Sequence, residues 1–255
     1  MDTAFRDQFL QLWRRYFNGA EIPITYFYST APAGQLLEAP EPTRCLFADL
    51  VRVRAGCALC LNAGSFACAD GRHAFGFPTG PRPHYEHILS CGIPGEVEGK
   101  RFKQTPELVR AALRDLPRVR AARGYLIFKR WDRLTEKDEP QVVVFFVGPD
   151  ELSGLFWLAH FDESVPDAVL TPFAAGCMAL GAHPLAQCRS RTPRAVLGLL
   201  DPAARACLPD SMLTLAVPMT KFERMVATME ESFLSTPAWG RVRARIESQG
   251  HEDAV

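Results

Sequence analysis

Neither sign of charge predominates in this 255-residue chain: Lys plus Arg and Asp plus Glu both number 29. There is no overall field to draw in nucleic acid or an anionic membrane surface, so neither is expected as a partner. The short basic run Arg241-Val242-Arg243-Ala244-Arg245 reads as a solvated helix face. Long apolar runs are missing too, with nowhere about 18 uninterrupted apolar residues of the kind a membrane helix needs. The first seven residues, Met1 to Asp7, lack the basic start and apolar run of a secretory leader. A soluble, cytoplasmic protein is expected. Internal repeats and low-complexity tracts are absent, which excludes a solenoid. Segments 76–81 and 95–103 contain Gly and Lys without the phosphate-loop spacing, so nucleotide binding has no support.

What is present is a composition that is 47% hydrophobic, enough to bury a large core as one domain over residues 1–255. Phe5, Phe9, Leu12, Trp13 and Tyr16 fall at helical spacing and predict an amphipathic first helix. Residues 22–28 are β-branched and aromatic and predict a strand. A second helix is expected over 44–55, with Cys45 at its start and Gly56 at its stop. Residues 63–94 are dense in Gly, Pro, His and Cys and read as a long loop region, which in compact domains is usually functional. Thr105-Pro106-Glu107 opens a third helix. Strands are expected at 125–131, 142–147, 195–200 and 213–217, the second apolar on both faces and so central. Two helices close the chain, and 248–255 reads as a disordered tail. Strands and helices without clean βαβ alternation predict an α+β fold, with a mixed, mainly antiparallel sheet and flanking helices.

Eight cysteines in a reducing compartment argue against a disulfide framework and leave buried thiols, metal ligands or a nucleophile. Cys177 lies in Thr171-Pro172-Phe173-Ala174-Ala175-Gly176-Cys177-Met178-Ala179-Leu180-Gly181, a run of small residues that lets backbones approach closely. Thr171 can cap a helix with Pro172 at its first position, and Gly181 can end it. Cys57-x-x-Cys60 lies in a strand-like run where the two side chains face opposite ways, which favours packing over a redox dithiol. Cys68 and Cys91 sit in irregular, Gly-flanked backbone of the kind that holds iron–sulfur or zinc ligands. Cys45, Cys68, Cys91 and Cys177 would together supply four thiolates. His84-x-x-His87, with His73 nearby, is a further metal candidate, and surface or packing histidines are the alternative. His183 follows Cys177 by six residues and would be its base if Cys177 were a nucleophile.

Several strings in one order resemble an uncharacterised prokaryotic family, domain of unknown function 169. They are Glu107-Leu108-Val109-Arg110; residues 142–147 followed by Pro149-Asp150-x-Leu152-Ser153-x-Leu155; and Pro172-Phe173-Ala174-Ala175-Gly176-Cys177. Leu197-Gly198-Leu199-Leu200-Asp201-Pro202-Ala203-Ala204-Arg205, Val217-Pro218-Met219-x-x-Phe222, Glu231-Ser232-Phe233-Leu234, Trp239 and Arg245-Ile246 continue it. The resemblance implies that Cys45, Cys68 and Cys177 occupy family cysteine positions, with Cys91 a looser match. Cys57, Cys60, Cys188 and Cys207 look particular to this chain. After Cys68 the family's Gly-Gly is replaced by Asp70-Gly71. The leading expectation is a protein holding an iron–sulfur cluster, or zinc, through Cys45, Cys68, Cys91 and Cys177, with His73 or His87 near an open position and a small molecule or redox protein as partner. Two alternatives stand beside it: a cofactor-free ligand-binding module with an aromatic-lined apolar pocket, and a thiol enzyme with Cys177 as nucleophile.

Overall fold

A computed structural model describes residues 1–33, 35–36, 45–174, 176–206 and 208–252. Cys207 and Ala175 lie outside the described residues, as do the first residue of the helix expected over 44–55 and the last three of the tail expected over 248–255. In chain order the elements are α1 (Thr3–Tyr16), β1 (Ile24–Ser29), β2 (Gln35–Leu36), α2 (Leu46–Arg54), β3 (Leu59–Leu61), α3 (Ala69–Ala74), α4 (Tyr85–Ile88), α5 (Pro106–Asp115) and β4 (Tyr125–Arg130). There follow β5 (Val142–Val147), α6 (Pro149–His160), β6 (Val169–Leu170), α7 (Gly176–Leu180), α8 (Ala182–Gln187), β7 (Ala195–Gly198), α9 (Pro202–Arg205), β8 (Leu213–Pro218), α10 (Met219–Thr228) and α11 (Pro237–Glu252). The chain divides into two compact units, residues 1–77 with 119–255, and residues 78–118.

The larger unit is α+β, as expected. Its eight strands form one sheet in the order β2-β3-β4-β1-β5-β8-β7-β6. The β2–β3 and β6–β7 pairs are parallel and the rest antiparallel. At the centre, Ile24 of β1 pairs with Arg130 of β4 on one side and Val144 of β5 on the other. All six residues of β5 are buried, as are the first five of β1. Both faces of the sheet therefore carry a helical layer.

On one face α1 lays Phe9 against Phe145, Trp131 and Phe222, and Trp13 against Phe145, while Phe17, just past the helix, meets Trp13 and Trp239. The rings meet edge-on or stacked, with centroids 4.9 Å apart for Phe9 and Phe222 and 4.4 Å for Trp13 and Phe17. Such pairs add about 0.5–1.5 kcal/mol each beyond their buried area. Asp2 caps α1 by accepting from the Ala4 N–H, which satisfies one of the donors a helix start leaves open. α6, α10 and α11 complete this layer through Leu155, Leu158, Phe222, Met225 and Trp239. Lys221 is wholly buried and lies 3.2 Å from Glu163, so its charge is paired where an unpaired one would be costly.

The opposite face carries α2, α3, α7 and α8. Tyr26 of β1 meets Phe75 and Phe128 edge-on or tilted at 5.1 and 5.4 Å. Its hydroxyl donates to Leu180 O at 2.9 Å, and that of Tyr28 donates to Phe75 O at 2.6 Å. These two bonds fix the ends of α7 and α3 to the sheet.

In the smaller unit, Thr105 caps α5 by accepting from Leu108 N–H, and Arg110 of α5 meets Glu86 of α4 at 3.2 Å. The region 63–94, expected as loop, contains α3 and α4. α11 runs to Glu252, through residues expected as tail. β7 stops at Gly198, two residues early, because Leu199 turns into the left-handed region at φ 67° while its side chain stays buried. Among the described residues no helix is long and apolar enough to cross a membrane.

Gly154 tests the packing of α6 on α11, since a methyl group there would lie 2.3 Å from Trp239 Cη2 and 2.9 Å from Phe17 Cε1. Gly154→Ala is expected to lower unfolding stability by about 1–3 kcal/mol through overpacking. Gly240→Ala in α11, where the added methyl meets nothing within 4 Å, is expected to raise it by up to about 1 kcal/mol. Urea titrations of both variants check the pair of signs.

Candidate thiol site

Three helix starts converge on the second face of the sheet, and each carries a cysteine. Cys45 is the N-cap residue of α2, Cys68 that of α3, and Cys177 is the second residue of α7. Small residues make the convergence possible. A methyl group on Gly176 would lie 2.9 Å from Ala204 Cβ and 3.0 Å from Phe47 Cε2, and one on Gly71 would touch Leu46 at 3.6 Å. Leu46 and Phe47 are the first residues of α2, so its start rests directly on α3 and α7. Gly181 serves the same purpose at the far end of α7, where a methyl would lie 2.8 Å from Ala74 O.

The helix expected to start at Thr171-Pro172 instead starts at Gly176. The reason is a cap from another segment: Asp201 Oδ2 accepts the Gly176 N–H at 3.1 Å. Asp201 directly precedes α9 and follows the left-handed Leu199 by two residues. Backbone in that region is costly for a branched side chain and persists only when its surroundings hold it.

The sulfur of Cys68 accepts the Gly71 N–H at 3.4 Å, and the neighbouring Cys177 thiol can donate to it. The bond from Cys177 is the largest influence on Cys68 and brings its pKa down to about 6. Partial burial pushes the other way but loses, and Asp70 opposes the thiolate through its charge. Cys177 is pushed well above the ordinary thiol range, first because its proton is held by Cys68, then by burial and by the charges of Cys68, Cys45 and Asp70. The two sulfurs share one proton, and their titration belongs to the pair. Of the two, Cys68 gives up its proton the more readily. Cys68 is half-buried, whereas Cys177 is buried.

Cys68, not Cys177, is the thiol whose pKa is lowered. A nucleophilic cysteine needs a lowered pKa and an approach from solvent, and Cys177 has neither. Burial alone lowers the pKa of His183, and among the described residues its Nε2 has no hydrogen-bond partner. It is not placed as a base for Cys177.

Cys45 joins Cys68 and Cys177, close enough for its charge to act on Cys177. Cys91 belongs to the smaller unit, is exposed, and donates to Gly92 O at 3.5 Å. Among the described residues no group of three or more His, Cys, Asp or Glu side chains is arranged to hold a metal ion. His84 and His87 have ring centroids 6.3 Å apart, with His84 3.4 Å from Glu96, and His73 is exposed at the end of α3. Cys60 is buried in β3 while Cys57 is exposed before it. A polar cleft of about 480 Å³ in the smaller unit is lined by Cys91, Glu96, Glu98 and Arg101 among others, without an aromatic side chain. Asp70 and Asp201 were not foreseen as site residues. Asp201 does precede Pro202, the usual signature of a cap before a helix, but that signature speaks for α9 and not for α7.

A family model matches residues 15–228, and its description is DUF169, an uncharacterised ArCR family. The chain belongs to that family, as its motifs suggested. No curated protein and no solved structure matches.

Alkylation by iodoacetamide should report the Cys68 thiolate directly, with a rate that reaches half its maximum near pH 6. Cys177→Ala removes the donor and should move that midpoint up toward the ordinary thiol value of about 8.5. Cys177→Ser keeps a donor and should hold it low, while Asp70→Asn should lower it further. A midpoint indifferent to residue 177 would sink the shared-proton reading.

Proposed function

We propose that this DUF169 protein is a thiol–disulfide redox protein whose working pair is Cys68 and Cys177. What supports the reading is geometric first: a half-buried Cys68 that caps α3 and accepts the Gly71 N–H has the buried Cys177 as its neighbour, and its pKa is lowered to about 6 while that of Cys177 is raised. Thiolates, not thiols, attack disulfides, and an attacking thiol is most effective when its pKa lies near ambient pH. Cys68 meets both conditions.

The reaction starts with a disulfide substrate. Cys68 Sγ attacks one substrate sulfur, a mixed disulfide forms, the substrate S–S bond breaks, and the other half leaves as a thiolate. With its charge gone, Cys68 no longer holds the proton of Cys177, whose pKa then falls. Cys177 gives up that proton, attacks Cys68 Sγ and expels the second half of the substrate. The protein is oxidised by two electrons to a Cys68–Cys177 disulfide, and the substrate is reduced to two thiols after one further proton is taken from solvent. Run backwards, the same steps oxidise a dithiol. We place the protein in the cytoplasm, where glutathione and thioredoxin keep such a pair reduced.

A second reading is kept because Cys45 lies with the pair. Three thiolates suit a soft centre, an iron–sulfur cluster or zinc. Cys45, Cys68 and Cys177 would be ligands and the fourth position would fall to a substrate. In that case the group would supply electron transfer or a Lewis acid, and the chain would supply the deprotonated Cys68 as its first anchor.

Two measurements separate the readings. Incubation of the reduced chain with glutathione disulfide should consume the Cys68 and Cys177 thiols together and yield a peptide pair linked between them. Cys68→Ser should abolish that link and Cys45→Ser should leave it. Anaerobic purification with iron, sulfide and zinc analysis checks the alternative: a coloured or zinc-loaded protein that loses its metal in Cys45→Ser would replace the redox reading.

A further inference from the structure

We propose that the outer face at the end of α6 is where a second copy of this chain docks. The proposal is independent of the thiol site. It rests on a patch of four large apolar side chains held out to solvent on rigid backbone: Phe156, Trp157, Phe161 and Val165 are 40%, 62%, 45% and 40% exposed.

Part of the patch is tied together by ring contacts. Phe156 and Trp157 have ring centroids 6.3 Å apart, and Phe156 lies 4.4 Å from the His160 ring. His160 Nδ1 is 2.8 Å from Phe156 O, and its Nε2 is 3.3 Å from Pro166 O. That second contact folds the loop bearing Val165 back onto the helix end. The inner side of α6 is locked by the burial of Gly154, Leu155, Leu158 and Ala159. The outer side is therefore formed before anything binds it, which lowers the ordering cost of association.

Size and charge point to the occupant. A large aromatic side chain carries about 150–250 Å², so these exposures leave on the order of 400 Å² of apolar surface. That is the size of the largest patch on a typical monomer, which is often functional, and about half of the ~800 Å² each partner hides in a standard interface. The other half falls to the polar rim. This rim has both signs, with Asp162 3.1 Å from Arg224 and Asp167 3.0 Å from Arg194. A two-fold dimer sets one patch against itself, so each acid on one copy can face a base on the other. The chain's 29 basic and 29 acidic residues leave no long-range repulsion between copies. Rim carboxylates and zero net charge disfavour an anionic membrane or nucleic acid at the same face. Trp157, exposed and near the middle of the patch, is the expected hot spot.

The test is sedimentation velocity on the full chain from about 1 to 100 µM, the range in which a modest interface half-dissociates. It is run under reductant so that exposed Cys57, Cys91 and Cys188 do not cross-link copies. A monomer–dimer equilibrium is expected. The Trp157→Glu, Phe161→Glu double variant should weaken it at least about tenfold, and Trp157→Phe should retain it. Because both positions are exposed, circular dichroism and melting temperature should not change. A wild type that is monomeric throughout, or a dimer that survives in the double variant, overturns the proposal. So does a monomer that binds lipid vesicles through Trp157.

Discussion

Val142–Val147 is buried at every position, on both faces of the sheet, and the larger unit is arranged around that constraint. A strand with no polar face must be covered twice, so the chain supplies two helical layers where many antiparallel sheets have one. The first layer uses long amphipathic elements, α1, α6, α10 and α11, and an aromatic cluster. The second is assembled from short helices, α2, α3, α7 and α8, whose ends must be satisfied individually. Short helices have many ends for their length, and every end leaves donors or acceptors unpaired. It is among these ends, where polar groups have to be answered, that the three thiols lie.

Each answer also fixes a position. The tyrosine hydroxyls of β1 take the carbonyls of Leu180 and Phe75, tying α7 and α3 to the most buried part of the sheet. Asp201 takes the first N–H of α7, and the sulfur of Cys68 takes the N–H of Gly71. Glu21 grips Arg54 at the other end of α2 through two hydrogen bonds of 2.7 and 2.6 Å. Cys45, Cys68 and Cys177 are thus held on scaffold, with no mobile lid required. The thiolate at Cys68 follows from a contest of known sign. Partial burial and the charge of Asp70 disfavour its charge, hydrogen bonds from Cys177 and from the backbone of Gly71 and Asp70 favour it, and the bonds prevail.

Much of this organisation was legible in residues. The six-residue apolar run of β5, the cap at Thr105-Pro106 and the spacing of Phe9, Leu12, Trp13 and Tyr16 each state a local rule that the fold obeys. Cys45 at a helix start was readable from the periodicity that follows it. The start of α7 was not. Thr171-Pro172 is a sound local cap, but Asp201, 25 residues beyond Gly176 in sequence, supplies the partner that decides where the helix begins. The exchange of roles between Cys177 and Cys68 was hidden for the same reason: burial and a through-space hydrogen bond set which sulfur keeps the proton. Neither is a property of spacing. Cys91 matched the others in local chemistry, a thiol beside glycine in irregular backbone, and local chemistry carries no statement about which unit a residue joins.

The proton on Cys177 links the two chemistries open to this site. With Cys45, Cys68 and Asp70 around it, a second thiolate at Cys177 would add charge to a buried position already acted on by three acidic groups. In water such charges are screened, but in a partly buried setting they are not. The proton keeps the cluster at the charge its surroundings tolerate. Removing it requires either that the charge disappear, as it does when Cys68 and Cys177 join in a disulfide, or that a cation replace it. The first route needs only the two neighbouring sulfurs of Cys68 and Cys177 and leaves Cys45 as a bystander. The second draws all three sulfurs inward, against an arrangement in which no donor set among the described residues is placed for a metal. The disulfide asks less movement of a layer whose helix ends are each tied down, and that is why the redox pair is the reading the geometry favours.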